Sequence, residues 1–342
     1  MLDHGGGILA AAQRYGIAPA DWLDLSTGLN PQGWPVPAIG ASHWQRLPQD
    51  DDGLEAAAAA CYGGDVLLPV AGSQAAIQAL PALRAPGTVG LLASSYAEHA
   101  RAWLRAGHRV EKLTPETVED ALPRLDVLLL CTPNNPTGWR APVDDLNAWR
   151  ERLATRGGWL VLDEAFMDST PQHSLIARTG TPGLIVLRSI GKFFGLAGAR
   201  VGFVFAWREL LDALREVLGP WSVAGPARAA ATAALRDTAW QDATRQRLAR
   251  DGARLATLLT AGALPPRGGT DLFQWLPHAD AAAIHDFLAR RGILCRHFPD
   301  SGSLRFGLPP DEAGWKRLEC ALTDRLHSAD PARDSQADAH HV

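Results

Sequence analysis

The chain has 342 residues, 46% hydrophobic and 20% charged, with a formal net charge of −4. That length can bury a sizeable core as one large or two smaller domains, and a mild acidity with scattered Lys and Arg points to no nucleic-acid or membrane-surface partner. Cys61, Cys131, Cys295 and Cys320 form no CxxC pair, so neither a zinc site nor a disulfide framework is expected, and no other metal spacing stands out. The start, MLDHGGGILAAAQ, shows no signal-peptide pattern, and no window approaches the roughly 20 apolar residues of a membrane helix; the expectation is a cytoplasmic protein.

In chain order, residues 1–40 are rich in Gly, Pro and Trp and read as an irregular arm with a short helix over 7–15. An alanine-rich helix is predicted over 54–62, a short strand over 67–70, and a helix opened by Gly72-Ser73-Gln74 and running to about 83. Strands follow at 89–93, 109–113, 127–131, 159–162, 184–187 and 201–205, with helices at 97–106 and 144–156 among them. Strands that are largely apolar runs, alternating with helices, predict an α/β fold with a mostly parallel sheet covered on both faces. A long helical stretch over 226–259 then leads to strands at 272–276, 293–297 and 304–308, with helices at 281–291 and 312–326. The expected organisation is an arm (1–40), a large domain (41–225), a smaller α+β domain (226–327) and a polar, disordered tail (328–342).

Ligand sites of open α/β sheets lie beyond the carboxyl ends of strands. Asn135, Asp163 and Lys192 each follow a predicted strand, and Lys192 is followed by Phe193, Phe194 and Gly195, an apolar setting for an ammonium. Taken singly, Asn-Pro-Thr-Gly is a turn, a strand-end acid is a cap or ion-pair partner, and a loop lysine is solvated. Their joint order is more specific.

Asn134-Asn-Pro-Thr-Gly138, Asp163-Glu-Ala-Phe166 and Ser189-Ile-Gly-Lys192 with Arg200 together resemble the fold-type I pyridoxal-phosphate family, the aspartate-aminotransferase fold, over residues 20–325. The resemblance implies pyridoxal 5'-phosphate as cofactor and a homodimer. It implies Lys192 as the covalent anchor, its amine pKa lowered by apolar surroundings. Asp163 would keep the pyridine nitrogen protonated, and Asn135 would donate to the phenolic oxygen. Tyr96 would stack on the ring. Backbone N–H groups at Gly72, Ser73 and Gln74, with Ser189 and Arg200, would hold the phosphate. Two positions depart from the aminotransferase pattern: Phe166 stands where many members have a tyrosine that meets the phenolic oxygen, and Leu47 where an Arg-Tyr-Pro segment would offer a hydroxyl.

A second set of segments, His4-Gly5-Gly6, Asp24-Leu-Ser-Thr-Gly-Leu-Asn-Pro31, Cys131-Thr-Pro-Asn-Asn135 and Pro220-Trp-Ser-Val223, is similar to the L-threonine-O-3-phosphate decarboxylase family of cobalamin biosynthesis. This implies that His4, Gly5, Arg296 and Arg305 contact a phosphorylated amino acid, with Asn135 near it, and that the reaction is decarboxylation, with Lys192 returning the proton to Cα. Gly28 stands where that family has a substrate-contacting asparagine, and Asn30 is a substitute. Trp221 reads as an interface or core aromatic. His43, His99, His173 and His278 receive no role. The runner-up is histidinol-phosphate aminotransferase or a related transaminase, against which Phe166, Leu47 and the His-Gly-Gly arm count. A non-catalytic binding scaffold has no need of Lys192, Asp163, Asn135 and Arg200 together.

Overall fold

The computed structural model describes residues 4–328, so the expected tail lies, beyond Ser328, outside the described residues. The strands are β1 (Leu23–Leu25), β2 (Leu67–Val70), β3 (Thr88–Leu92), β4 (Arg109–Leu113), β5 (Val127–Cys131), β6 (Trp159–Asp163), β7 (Leu184–Ser189), β8 (Gly202–Phe205), β9 (Gly268–Thr270), β10 (Phe273–Pro277), β11 (Ile293–Phe298) and β12 (Ser303–Gly307). The α-helices are α1 (Ile8–Tyr15), α2 (Ser42–Gln45), α3 (Leu54–Tyr62), α4 (Ser73–Ala79), α5 (Ala97–Arg105), α6 (Val118–Ala121), α7 (Val143–Ala154), α8 (Arg208–Leu218), α9 (Gly225–Arg236), α10 (Thr238–Ala261), α11 (Ala281–Ala289) and α12 (Glu312–Ser328).

Two compact units divide the chain. The larger runs from Gln32 to Leu248; the smaller joins the N-terminal residues through Pro31 to the chain from Ala249 onward. These divisions fall elsewhere than the expected 40/41 and 225/226 boundaries: α9 and the first half of α10 belong to the larger unit, and the arm belongs to the smaller only as far as Pro31.

In the larger unit seven strands run in the order β2-β8-β7-β6-β5-β3-β4. All neighbours are parallel except β8, which is antiparallel to both β2 and β7. Strands β5, β6 and β7 are buried along their whole length, as expected for continuous apolar runs covered on both faces. Leu129, Val161, Ile185, Leu187 and Val204 pack with Ile77, Leu80 and Leu211 from the helical layer into one core cluster.

The smaller unit holds a five-stranded sheet in the order β1-β11-β12-β10-β9. β1 pairs parallel with β11, Leu23 opposite Ile293, and the remaining pairs are antiparallel. The arm expected to be irregular therefore supplies a strand. Three residues are too short a run for periodicity to reveal, and the pairing is set by a partner 270 positions away. The long predicted helix is two helices. Asp237 breaks it by accepting from the Trp240 N–H at 3.0 Å, a side-chain cap at the start of α10, while its other oxygen accepts from Trp34 Nε1 at 3.0 Å.

Candidate active site

Cys131, Asp163 and Leu187 stand in register across β5, β6 and β7, so the carboxyl edge of the parallel sheet carries Asp163. Asp163 is buried, and both its oxygens receive donors: His99 Nε2 lies 2.8 Å from Oδ2, and the Ala165 N–H donates to Oδ1 at 3.1 Å. His99 was given no role from sequence. It sits in the first turn of α5 on the buried face shared with Ala102 and Trp103, and that helical spacing after Tyr96 is the signal that could have singled it out. Burial opposes a charged imidazole here, but Cys131 and Asp163 outweigh it and push the pKa up to about 10. A His99 imidazolium therefore faces the Asp163 carboxylate at neutral pH. Ser95 Oγ donates to Cys131 Sγ at 3.3 Å, and the ligand atoms of His99, Cys131 and Asp163 lie within 4.8 Å of one another.

Lys192 follows β7 in a tight turn, its carbonyl accepting from the Gly195 N–H at 3.2 Å. Its Nζ lies 5.6 Å from the centroid of the buried Phe166 ring. The next two residues anchor the turn. Phe193 and Phe194 are both buried; Phe194 stacks on Trp240 at 5.7 Å, and Phe193 meets the same indole edge-on at 5.6 Å. Trp34 N donates to the Phe194 carbonyl at 2.8 Å, and a Cβ on Gly33 would sit 3.0 Å from that oxygen. The aromatic run after the lysine thus fixes the backbone that carries the amine.

Arg200 adopts a left-handed conformation, φ 52°, and donates to the Ala197 carbonyl at 3.2 Å. Its guanidinium lies against Gly72, where a Cβ would stand 2.5 Å from Nη2. Gly72 is itself at φ 72°, a conformation that favours glycine in the turn before α4. A Cβ on Gly202 would come 2.6 Å from the Ser73 nitrogen, which keeps β8 close under the same turn. Ser189 Oγ accepts from the Gly191 N–H at 3.2 Å. Gln74 has its side chain committed: Oε1 accepts from Tyr96 Oη at 3.1 Å and Nε2 donates to Glu98 at 3.2 Å. Tyr96 meets His99 edge-on at 5.9 Å, and burial pushes its phenol up to about 12, with Glu98 and Asp163 adding to it. Asn135 is half-buried in the 132–138 turn beyond β5, beside the fully buried Asn134, which donates to the Ser94 carbonyl and to Thr137 Oγ1, both at 2.8 Å.

An amine beside an apolar ring, a buried carboxylate held by an imidazolium, and a guanidinium against a glycine turn suit pyridoxal phosphate: aldehyde, ring nitrogen and phosphate each have a chemically matched group. Behind the same edge lies a network that the sequence did not reveal. Glu164 and Arg188 point away from Asp163 and Ser189 because strand residues alternate. Arg188 Nη2 lies 3.1 Å from Glu164 and Nη1 3.5 Å from Asp168, and its guanidinium covers the Tyr62 ring at 4.9 Å. Burial raises the Glu164 and Asp168 carboxyls, with Arg188 opposing.

The smaller unit gathers the other candidate residues. Arg296 on β11 is opposite Arg305 on β12, so two guanidinium side chains rise on one face, 5.2 Å and 5.9 Å from the Phe298 ring centroid. Arg305 is buried and donates from Nη2 to the Ser26 carbonyl at 2.8 Å. Burial and Arg296 push its pKa down to about 10, against Asp24. His4 is exposed, Gly5 lies hard against the Ser26 carbonyl, and Gly6 N donates to Ser26 Oγ at 2.7 Å. Gly28 and Asn30 are both buried in this unit. Trp221, in the larger unit, is 58% exposed at φ 57° and is not a core residue.

Fold and donor set define a pyridoxal-phosphate-dependent enzyme of fold type I, and the chain belongs to the family described as aminotransferase class I and II, whose model matches residues 47–324. Within it, a threonine-phosphate decarboxylase of Pseudomonas aeruginosa is 57% identical over 322 residues, covering 94% of this chain and 97% of that protein. That identity puts the chain in the threonine-phosphate decarboxylase family. Among solved structures, the histidinol-phosphate aminotransferase of Sinorhizobium meliloti in complex with pyridoxal-5'-phosphate superposes with a TM-score of 0.83 at 20% identity, over 95% of each chain. The L-threonine-O-3-phosphate decarboxylase of Porphyromonas gingivalis gives 0.74 at 21%, covering 89% of this chain and 99% of that one. At such identities the two superpositions speak to the fold and do not choose between the activities.

Proposed function

We propose that the protein decarboxylates L-threonine O-3-phosphate to carbon dioxide and (R)-1-amino-2-propanol O-2-phosphate, the linker unit of the cobalamin nucleotide loop. The observation that carries this reading is the 57% identity, over nearly the whole of both chains, to a threonine-phosphate decarboxylase. The facing Arg296 and Arg305 side chains support it, because like charges opposite one another on a sheet are relieved by a bound anion. A transaminase reading has weaker support, a 31% identity over 318 residues to a histidinol-phosphate aminotransferase of Dinoroseobacter shibae beside the likeness of fold.

In this reading pyridoxal phosphate, when bound, supplies a sink for the electron pair left on Cα as the carboxylate departs. Lys192 would be its covalent anchor; Arg200, Ser189 and the backbone at Gly72, Ser73 and Gln74 would hold its phosphate, and Tyr96 and Asn135 would contact its ring. Asp163, positioned by His99 Nε2 at 2.8 Å, would hold the proton on the ring nitrogen. Arg305 and Arg296, with His4 and Gly5, would bind the substrate phosphate and so orient the carboxylate for departure. Lys192 then returns a proton to Cα, replacing the lost carbon dioxide. Phe166 lacks the hydroxyl that would meet the phenolic oxygen and presents an apolar face to the amine instead.

The same reading makes the protein a cytoplasmic homodimer. Its four cysteines are free thiols, and no helix among the described residues is long and apolar enough to cross a membrane. Val36, Trp44, Leu47 and Trp221 leave apolar surface exposed on the larger unit, suited to a second copy. The deciding experiment incubates cofactor-loaded protein with L-threonine O-3-phosphate without a keto acid. Carbon dioxide released at enzymatic rates is expected. No release, with amino transfer from histidinol phosphate to 2-oxoglutarate, would make it a transaminase.

A further inference from the structure

We propose that Ser26 is a positioning residue that ties the His4-Gly5-Gly6 arm and the Arg305 guanidinium to a single point, so that both meet the phosphate end of the substrate together. The inference rests on the decarboxylase reading for its substrate, and on geometry within the smaller unit for everything else.

Ser26 follows β1 directly and is 2% exposed. Its hydroxyl, one donor with acceptor lone pairs, works in both senses. It donates to Asp24 Oδ1 at 2.6 Å and accepts from the Gly6 N–H at 2.7 Å. Its backbone N–H donates to the same Asp24 oxygen at 2.9 Å, closing a short turn that fixes the hydroxyl's direction. Its carbonyl accepts from Arg305 Nη2 at 2.8 Å. Three parts of the chain far apart in sequence therefore converge on one buried serine.

The arm reaches this point only because of its composition. A Cβ on Gly5 would collide with the Ser26 carbonyl oxygen, the atom that Arg305 uses, and Gly6 sits at φ 83°. Beyond the serine, a Cβ on Gly307 would collide with the Thr27 carbonyl, so β12 is pressed equally close to this turn. Asp24 adds a negative charge that works to keep the buried Arg305 protonated. Anything that shifts Ser26 moves the arm and the guanidinium together, and neither shift touches the residues assigned to the cofactor.

The test uses holoenzyme carrying Ser26→Ala or Ser26→Cys. Each is expected to raise KM for L-threonine O-3-phosphate about tenfold, the order expected for one lost hydrogen bond, with kcat within about twofold. The absorbance of bound cofactor should be unchanged. Hydrogen exchange at the Gly6 amide should quicken in Ser26→Ala. Should Ser26→Ala fail to fold, Ser26→Cys decides by the same readouts, since it keeps the volume and the backbone turn to Asp24 while weakening the acceptor for the Gly6 N–H. Unchanged KM in the variants, or Gly6 exchange as slow in Ser26→Ala as in wild type, overturns the proposal, as does a fall in kcat as large as the rise in KM. If the wild-type protein releases no carbon dioxide from this substrate, the decarboxylase reading fails instead, and Gly6 exchange still decides whether Ser26 holds the arm.

Discussion

The larger unit buries Arg188 between Glu164 and Asp168 and sets the His99 imidazole on Asp163, so its interior cations stand against carboxylates. The smaller unit sets buried Arg305 opposite Arg296, another cation, with the Asp24 charge acting the other way. A cation enclosed by carboxylates is a finished network, and breaking it strands charge in the interior. Two cations facing one another gain from an incoming anion. The contrast separates residues kept for architecture from residues kept for a ligand, and substitutions can test it.

The largest effect is expected from Arg188→Met, which leaves Glu164 and Asp168 buried without their cation. A stability loss of about 3–5 kcal/mol, measured by urea unfolding, is the expected result. Arg305→Met should do the reverse. Relief from Arg296 offsets the lost hydrogen bond, so the melting temperature stays within a few degrees while KM for the phosphorylated substrate rises about a hundredfold. Equal stability losses in the two variants would erase the comparison.

His99 gives a pH-dependent version of the same contrast. Its pKa is raised from 6.5 to about 10 in the folded protein, so the folded state binds more protons between those values. The stability it contributes is complete below pH 6.5 and is lost as pH rises through about 10. Urea unfolding between pH 7 and pH 9.5 should therefore show stability falling with pH, and His99→Asn should flatten that slope. The smallest effect belongs to Phe166→Tyr. The restored hydroxyl should lower the pH at which the bound cofactor's absorbance changes, by donating to the phenolic oxygen, with turnover within about threefold of wild type.

How much of this was legible in the sequence follows from where each residue sits. Asp163 and Lys192 could be found because continuous apolar strands predict a parallel sheet, and chemistry in such sheets gathers at strand ends. Arg296 and Arg305 came from resemblance alone; their facing geometry is a matter of β11–β12 register, which no local pattern encodes. Ser26 and Arg188 were missed for the same reason, as their partners lie across sheets and helices. Asp237 looked like one more polar position in a helical run, and only Trp34 and Trp240 reveal it as a cap. The three-residue β1 escaped because its pairing partner is at the far end of the chain.

That short strand has a practical consequence. β1 covers Ile293-Leu294-Cys295 along one side of β11, and without it those residues would present a bare, apolar row of backbone N–H and C=O groups to solvent. Such an edge is a template for pairing with other chains. Cutting back the first 25 residues to probe their part in turnover would therefore yield aggregates rather than a weakened enzyme, and the loss of activity would report solubility. The arm is better questioned by single substitutions that leave Leu23, Asp24 and Leu25 paired.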